Sequence, residues 1–106
     1  MKDRRRHKRF PASHCVRFKY NGRVRTSNTL DLSLGGAKVE TVFPMRVGDV
    51  VQVSIVIGGN TISPRGKVVH GKEFPELRYN SGFDFETMES QDQNYLVEYL
   101  TKLRRS

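Results

Sequence analysis

The strictest constraint on how this chain can fold is a period-two alternation of apolar and polar residues that keeps returning along its length. Val51, Val53, Ile55 and Ile57 alternate with Gln52, Ser54 and Val56. Successive side chains of a strand point to opposite faces, so such a stretch is a half-buried β-strand. The same pattern runs from His14 to Tyr20, with Val16, Phe18 and Tyr20 on one face and Cys15, Arg17 and Lys19 on the other. It runs again from Ala37 to Phe43, where Ala37, Val39, Thr41 and Phe43 alternate with Lys38, Glu40 and Val42. Asn21-Gly22 is a strong hairpin signal and predicts a polar returning strand over Arg23 to Asp31. Pro44 and Gly48-Asp49 punctuate the next connection, and Gly58-Gly59-Asn60 turns the chain into a fifth strand, Thr61 to His70. Pro64 marks an edge or a bulge within it. Glu73 to Glu76, holding Pro75, reads as a polar loop, and Arg78 to Glu86 as a sixth strand with Phe83 and Phe85 on one face.

The period changes at the end of the chain. Tyr95, Leu96, Tyr99, Leu100 and Leu103 form one stripe of an amphipathic helix over 90–104. Ser90 and Gln93 have the spacing of a capping box, and Lys102, Arg104 and Arg105 suit the negative end of the helix dipole. Six short strands followed by one helix predict an all-β fold: a six-stranded antiparallel β-barrel, with the C-terminal α-helix over an open end or side. The strand count and the lack of intervening helices exclude a helix bundle and a βαβ fold. At 106 residues the chain is one domain. Residues 1–10 read as a flexible basic arm, ended by Phe10-Pro11, and 11–106 as the barrel domain.

The formal net charge is +8. Much of the excess is local, because Lys2, Arg4, Arg5, Arg6, Lys8 and Arg9 face only Asp3. Such a concentration implies an anionic partner: nucleic acid, a nucleotide, a phospholipid surface or an acidic protein. No apolar run approaches the roughly 20 residues that span a bilayer, and no apolar segment follows the basic N-terminus as in a secretory signal. The single cysteine, Cys15, fits a reducing compartment, so a cytoplasmic location is expected.

The residues argue against catalysis. Ser33, His70 and Asp31 are all present, but Leu32-Ser33-Leu34 lacks the glycine-flanked elbow that exposes a nucleophile. His7, His14 and His70 show no metal-ligand spacing, and Gly35-Gly36 has neither the lysine nor the helix of a phosphate loop. No catalytic residue, metal or cofactor is therefore expected. Recognition without chemistry fits better. Arg5 and Arg9 are four apart, with Arg4 and Arg6 beside Arg5; guanidinium forks bind phosphate oxygens bidentately and stack on purine faces. Asp31 can accept the paired N–H edge of a guanine, and Ser33 adds a donor and two acceptors. Gly35 and Gly36 permit positive φ and close approach of a ligand to bare backbone N–H groups. A ligand with both purines and phosphates would engage all of these groups.

Arg5-Arg6-His7-Lys8-Arg9 is an R-x-x-x-R, and Asp31-Leu32-Ser33-Leu34-Gly35-Gly36 is a D-x-S-x-x-G. In this order, flanking a first hairpin in an all-β chain, they resemble the PilZ domain. The resemblance extends over nearly the whole chain, including Ser81 to Phe85 and the closing helix. It implies a receptor for the bacterial second messenger cyclic di-GMP, a six-stranded barrel, and an arm that wraps around bound ligand. Carried over by position, Arg5 and Arg9 would clamp phosphates and guanine faces, with a further contact from Arg4. Asp31, Ser33, Gly35 and Gly36 would hold a guanine, and His70 stands where some relatives stack an aromatic on a base. The ordered arm would then signal to a downstream protein partner. A competing reading is a small basic barrel that binds single-stranded nucleic acid or another polyanion through the same arm. No strand shows the outward aromatics of a stacking platform, so nucleic acid is the less favoured ligand. A pure protein adaptor is less favoured again, because the chain keeps the arginine motif.

Overall fold

The computed structural model describes residues 9–74 and 78–105. Eight strands precede one helix: β1 (Phe10–Pro11), β2 (Cys15–Tyr20), β3 (Arg23–Leu32), β4 (Gly36–Thr41), β5 (Val50–Ile57), β6 (Asn60–Ile62), β7 (Arg65–Phe74), β8 (Arg78–Thr87) and α1 (Ser90–Arg105). Strands β3, β2, β5, β7, β8 and β4 are neighbours in that order, and β4 pairs back onto β3. Six antiparallel strands thus close a barrel, as the alternation predicts. Asn21 and Gly22 both take positive φ, 51° and 78°, the pairing that lets a two-residue turn follow the twist of its strands.

The two remaining strands were not foreseen. The stretch 61–70 is not one strand but two, divided at Ser63-Pro64. Proline has no N–H for a ladder, and the Pro64 carbonyl instead accepts from the Val53 N–H at 3.0 Å. The chain before the break pairs with the far end of β5, Ile55 opposite Ile62, and the chain after it with the near end, Gln52 opposite Arg65. Strand β7 also runs on to Phe74, into the predicted polar loop, because β8 pairs with it as far as Phe74 opposite Arg78. The second addition is β1, which lies along the end of β3, with Phe10 opposite Leu32 and Pro11 opposite Asp31.

Val16, Phe18, Val39, Val53, Ile55, Ile57 and Phe83 are buried in the barrel, as their alternation predicts, and Val68 of β7 joins them; Leu96 and Leu100 of α1 complete the core. The helix end differs in detail from the expected capping box. Gln93 N–H donates to Glu89 O at 2.9 Å, which places Glu89 at the cap, and Asp92 in the first turn accepts from Ser63 N–H at 2.8 Å. An acidic residue there complements the dipole and ties α1 to the break between β6 and β7.

Candidate functional site

The predicted corner forms where β3 turns into β4. Ser33 N–H donates to Gly36 O at 2.9 Å, leaving Leu34 and Gly35 at the tip. The Ser33 hydroxyl is buried inside this turn. Its oxygen accepts from Gly35 N–H at 3.2 Å and Gly36 N–H at 3.1 Å, and lies 3.3 Å from Gly36 O. The two glycine amides are therefore not bare, as a short hydroxyl side chain folds back onto nearby backbone. Nor do these glycines supply positive φ, which occurs at Gly22, Gly48 and Gly58. Gly36 is needed for proximity: a Cβ there would overlap the Phe83 carbonyl oxygen of β8. Gly35 O accepts from Phe85 N–H at 2.9 Å, so the tip is clasped to β8 from the other side.

Asp31 stands beside this turn because of a bulge. The β3–β4 register shifts between Thr29 and Asp31, so that Thr29 opposes Val39, Asp31 opposes Lys38 and Leu32 opposes Ala37. The extra residue, Leu30, reverses the alternation. Leu32 becomes a core residue, and Asp31 moves to the outer face. Its Oδ1 accepts from Arg9 Nη1 at 2.6 Å and from Lys38 N–H at 3.2 Å. Each side chain of the Arg9–Asp31 pair is 16% exposed. Among the described residues Oδ2 has no hydrogen bond.

Arg9 reaches Asp31 because the segment after it is tied to β3. Ala12 N–H donates to Leu30 O at 3.3 Å, and Thr29 N–H to His14 O at 2.9 Å. The buried Thr29 hydroxyl donates to Ala12 O at 2.5 Å and accepts from His14 N–H at 3.0 Å. This threonine was not singled out in the sequence, where it sits in a polar strand with no sign that its face turns inward. His14 continues the connection to the helix: its Nε2 lies 3.1 Å from the Tyr99 hydroxyl, with the rings edge to face.

Burial holds the His14 pKa below its ordinary value, partly opposed by a hydrogen bond to the Val56 backbone. The unfolded chain thus takes up this proton at a higher pH than the folded one. The stability contributed is complete above about pH 6.5 and is lost as pH falls through the folded value. The urea midpoint is accordingly expected to drop between pH 7 and pH 5, and to drop less in His14→Gln.

The strand register also assembles a row that the sequence leaves apart. Asp31 on β3 opposes Lys38 on β4, Lys38 opposes Gly82 on β8, and Gly82 opposes His70 on β7. His70 is so placed by its backbone alone; its side chain lies outside what is described. Arg4 and Arg5 also lie outside the described residues. Among the described residues no group of three or more His, Cys, Asp or Glu is placed to hold a metal ion, and no helix is long and apolar enough to cross a membrane.

The family model for the PilZ domain matches residues 3–102. The chain belongs to the PilZ domain family. No curated protein sequence matches it, but solved structures share its fold. The inhibitor of motility MotI/DgrA of Bacillus subtilis superposes with a TM-score of 0.86 at 16% identity, over 97% of this chain and 52% of that one. The PilZ domain of YcgR from Escherichia coli, solved with cyclic di-GMP, gives 0.79 at 19% identity, over 97% of this chain and 93% of that domain. The K. pneumonia MrkH–cyclic di-GMP complex gives 0.80 at 19% identity, over 96% and 53%. This PilZ domain thus spans about half the length of the MotI and MrkH chains.

Proposed function

We propose that this PilZ domain is a receptor module for cyclic di-GMP, bound at the corner where residue 9 meets the β3–β4 turn. The observation that carries the reading is the Arg9–Asp31 pair at 2.6 Å. It brings the last arginine of the R-x-x-x-R onto the first residue of the D-x-S-x-x-G, 22 positions away. A guanidinium has five N–H donors in a fixed fork, so Arg9 keeps donors for a phosphate while it holds Asp31. The Oδ2 side of Asp31 is then the acceptor for the N–H edge of a guanine. Ser33, Gly35 and Gly36 act through the shape of the turn, which holds this carboxylate in place. Arg4 and Arg5, in the segment leading into Arg9, add phosphate and base contacts, and His70 borders the far side of the row.

Magnitudes favour a site built this way. Micromolar binding needs about −8 kcal/mol, and charge-assisted hydrogen bonds contribute roughly 1.5–3 kcal/mol each. Ordering backbone costs about 1–2 kcal/mol per residue. Residues 10–14 are already hydrogen-bonded to β3, so that cost is met on folding and not on binding. The module has no reacting group assigned to it in this reading. It acts in the cytoplasm by presenting the closed arm and its ligand to a protein partner. Calorimetric titration tests the reading, with cyclic di-AMP, linear dinucleotide and single-stranded DNA as controls. Micromolar or tighter binding selective for the cyclic guanine dinucleotide is expected. Equal binding of all four, or none, overturns it.

A further inference from the structure

Ala37 and Val39 are both fully buried, so Lys38 between them projects from the outer face of β4. It lies directly opposite Asp31 on one side and Gly82 on the other. A lysine facing an aspartate across two strands is normally its ion-pair partner. Here it is not. Asp31 Oδ1 is held by Arg9 at 2.6 Å, and it meets only the backbone N–H of Lys38. Glu40, two residues along on the same face, and Asp84, diagonally across on β8 beyond Gly82, are the other carboxylates near by. Among the described residues the Lys38 ammonium forms no ion pair or hydrogen bond with Asp31, Glu40 or Asp84. The corner therefore places two cations, Arg9 and Lys38, around one carboxylate. The second cation is half-buried. On its other side stands Gly82, which adds no side chain next to Lys38.

We propose that Lys38 is a phosphate-binding residue of this site, an inference that rests on the cyclic di-GMP reading above. Arg9 approaches the ligand from the N-terminal segment and Lys38 from the barrel wall, with Asp31 between them. The dinucleotide carries two phosphates, and the two cations come from independent elements. Lys38 thereby contributes charge from the barrel wall itself. A point charge on a flexible stem suits a phosphate, which accepts from many directions, better than it suits the fixed edge of a base.

The test is calorimetric titration of cyclic di-GMP into the unaltered chain, Lys38→Gln and Lys38→Arg, each at low and high salt. Lys38→Gln is expected to bind about tenfold more weakly, and its affinity to fall less steeply with salt, because a screened charge–charge attraction has been removed. Lys38→Arg is expected to retain affinity within about threefold, since the charge is kept. Thermal unfolding of each variant confirms that the barrel is intact. Unchanged affinity in Lys38→Gln overturns the proposal, as does a loss with undiminished salt dependence. In either case the unaltered chain still binds and the receptor reading stands. Absence of binding by the unaltered chain overturns both.

Discussion

Arg9→Ala and Asp31→Ala are each expected to weaken cyclic di-GMP binding by at least about 30-fold, close to 2 kcal/mol. Each substitution removes a contact of the proposed site and also strands its partner. With Arg9 gone, a carboxylate only 16% exposed keeps one neutral donor, the Lys38 N–H. With Asp31 gone, the guanidinium loses the anchor that aims it. Truncating one member of such a pair is costlier than the contact alone implies, because the other charge is left without compensation. The two effects are not independent. The double variant is expected to lose less than the sum of the singles, the signature of residues that act as one unit. Calorimetry on all four chains supplies the cycle. Near-native affinity in either single variant, or strict additivity, would refute a clamp built on this pair.

Gly36→Ala is expected to produce the largest loss of stability. The added methyl would be driven into the Phe83 carbonyl oxygen, backbone rather than the movable end of a side chain. Relief requires β4 and β8 to separate where Gly36 pairs with Asp84 and Gly35 O receives the Phe85 N–H. The cost is about 3 kcal/mol, which lowers the melting temperature on the order of 10–20 °C for a domain of this size. Gly59→Ala is the control, because nothing lies within 4 Å of a Cβ there. Thermal unfolding followed by circular dichroism compares them. Equal melting temperatures would show that β8 yields easily, and that Gly36 is needed for something other than proximity.

Strands are legible where one face is buried, because burial imposes the period-two pattern. That is why Cys15–Tyr20, Val50–Ile57 and the six-stranded closure follow from Val16, Phe18, Val53 and Ile55. The pattern falls silent where pairing is decided by a neighbour. β1 is two residues long and exists because the edge of β3 beyond Asn28 is otherwise unpaired. The division at Pro64 is visible in the sequence as a missing donor, but not as a change of partner along β5.

The site divides along the same line. The residue types of Arg9, Asp31, Ser33, Gly35 and Gly36 are enough to single out a candidate corner, because guanidinium, carboxylate, hydroxyl and glycine each do what apolar residues cannot. What each one does there is a tertiary matter. Ser33 reads as a ligand donor in one dimension; in three, its hydroxyl accepts from the Gly35 and Gly36 amides within its own loop. Gly36 looks like a residue for positive φ and close ligand approach and is a gap that lets two strands touch.

Sequence alone determined that this chain closes a small barrel and carries its positive charge ahead of it, because burial and charge are properties of residues. Only the tertiary structure decided which way Asp31 faces. A single extra residue at Leu30 reverses the alternation of β3, and a bulge is placed by the strands that flank it. The same register set Lys38 and Gly82 in line with Asp31, since strand neighbours are chosen by hydrogen bonding across the barrel and not by distance along the chain.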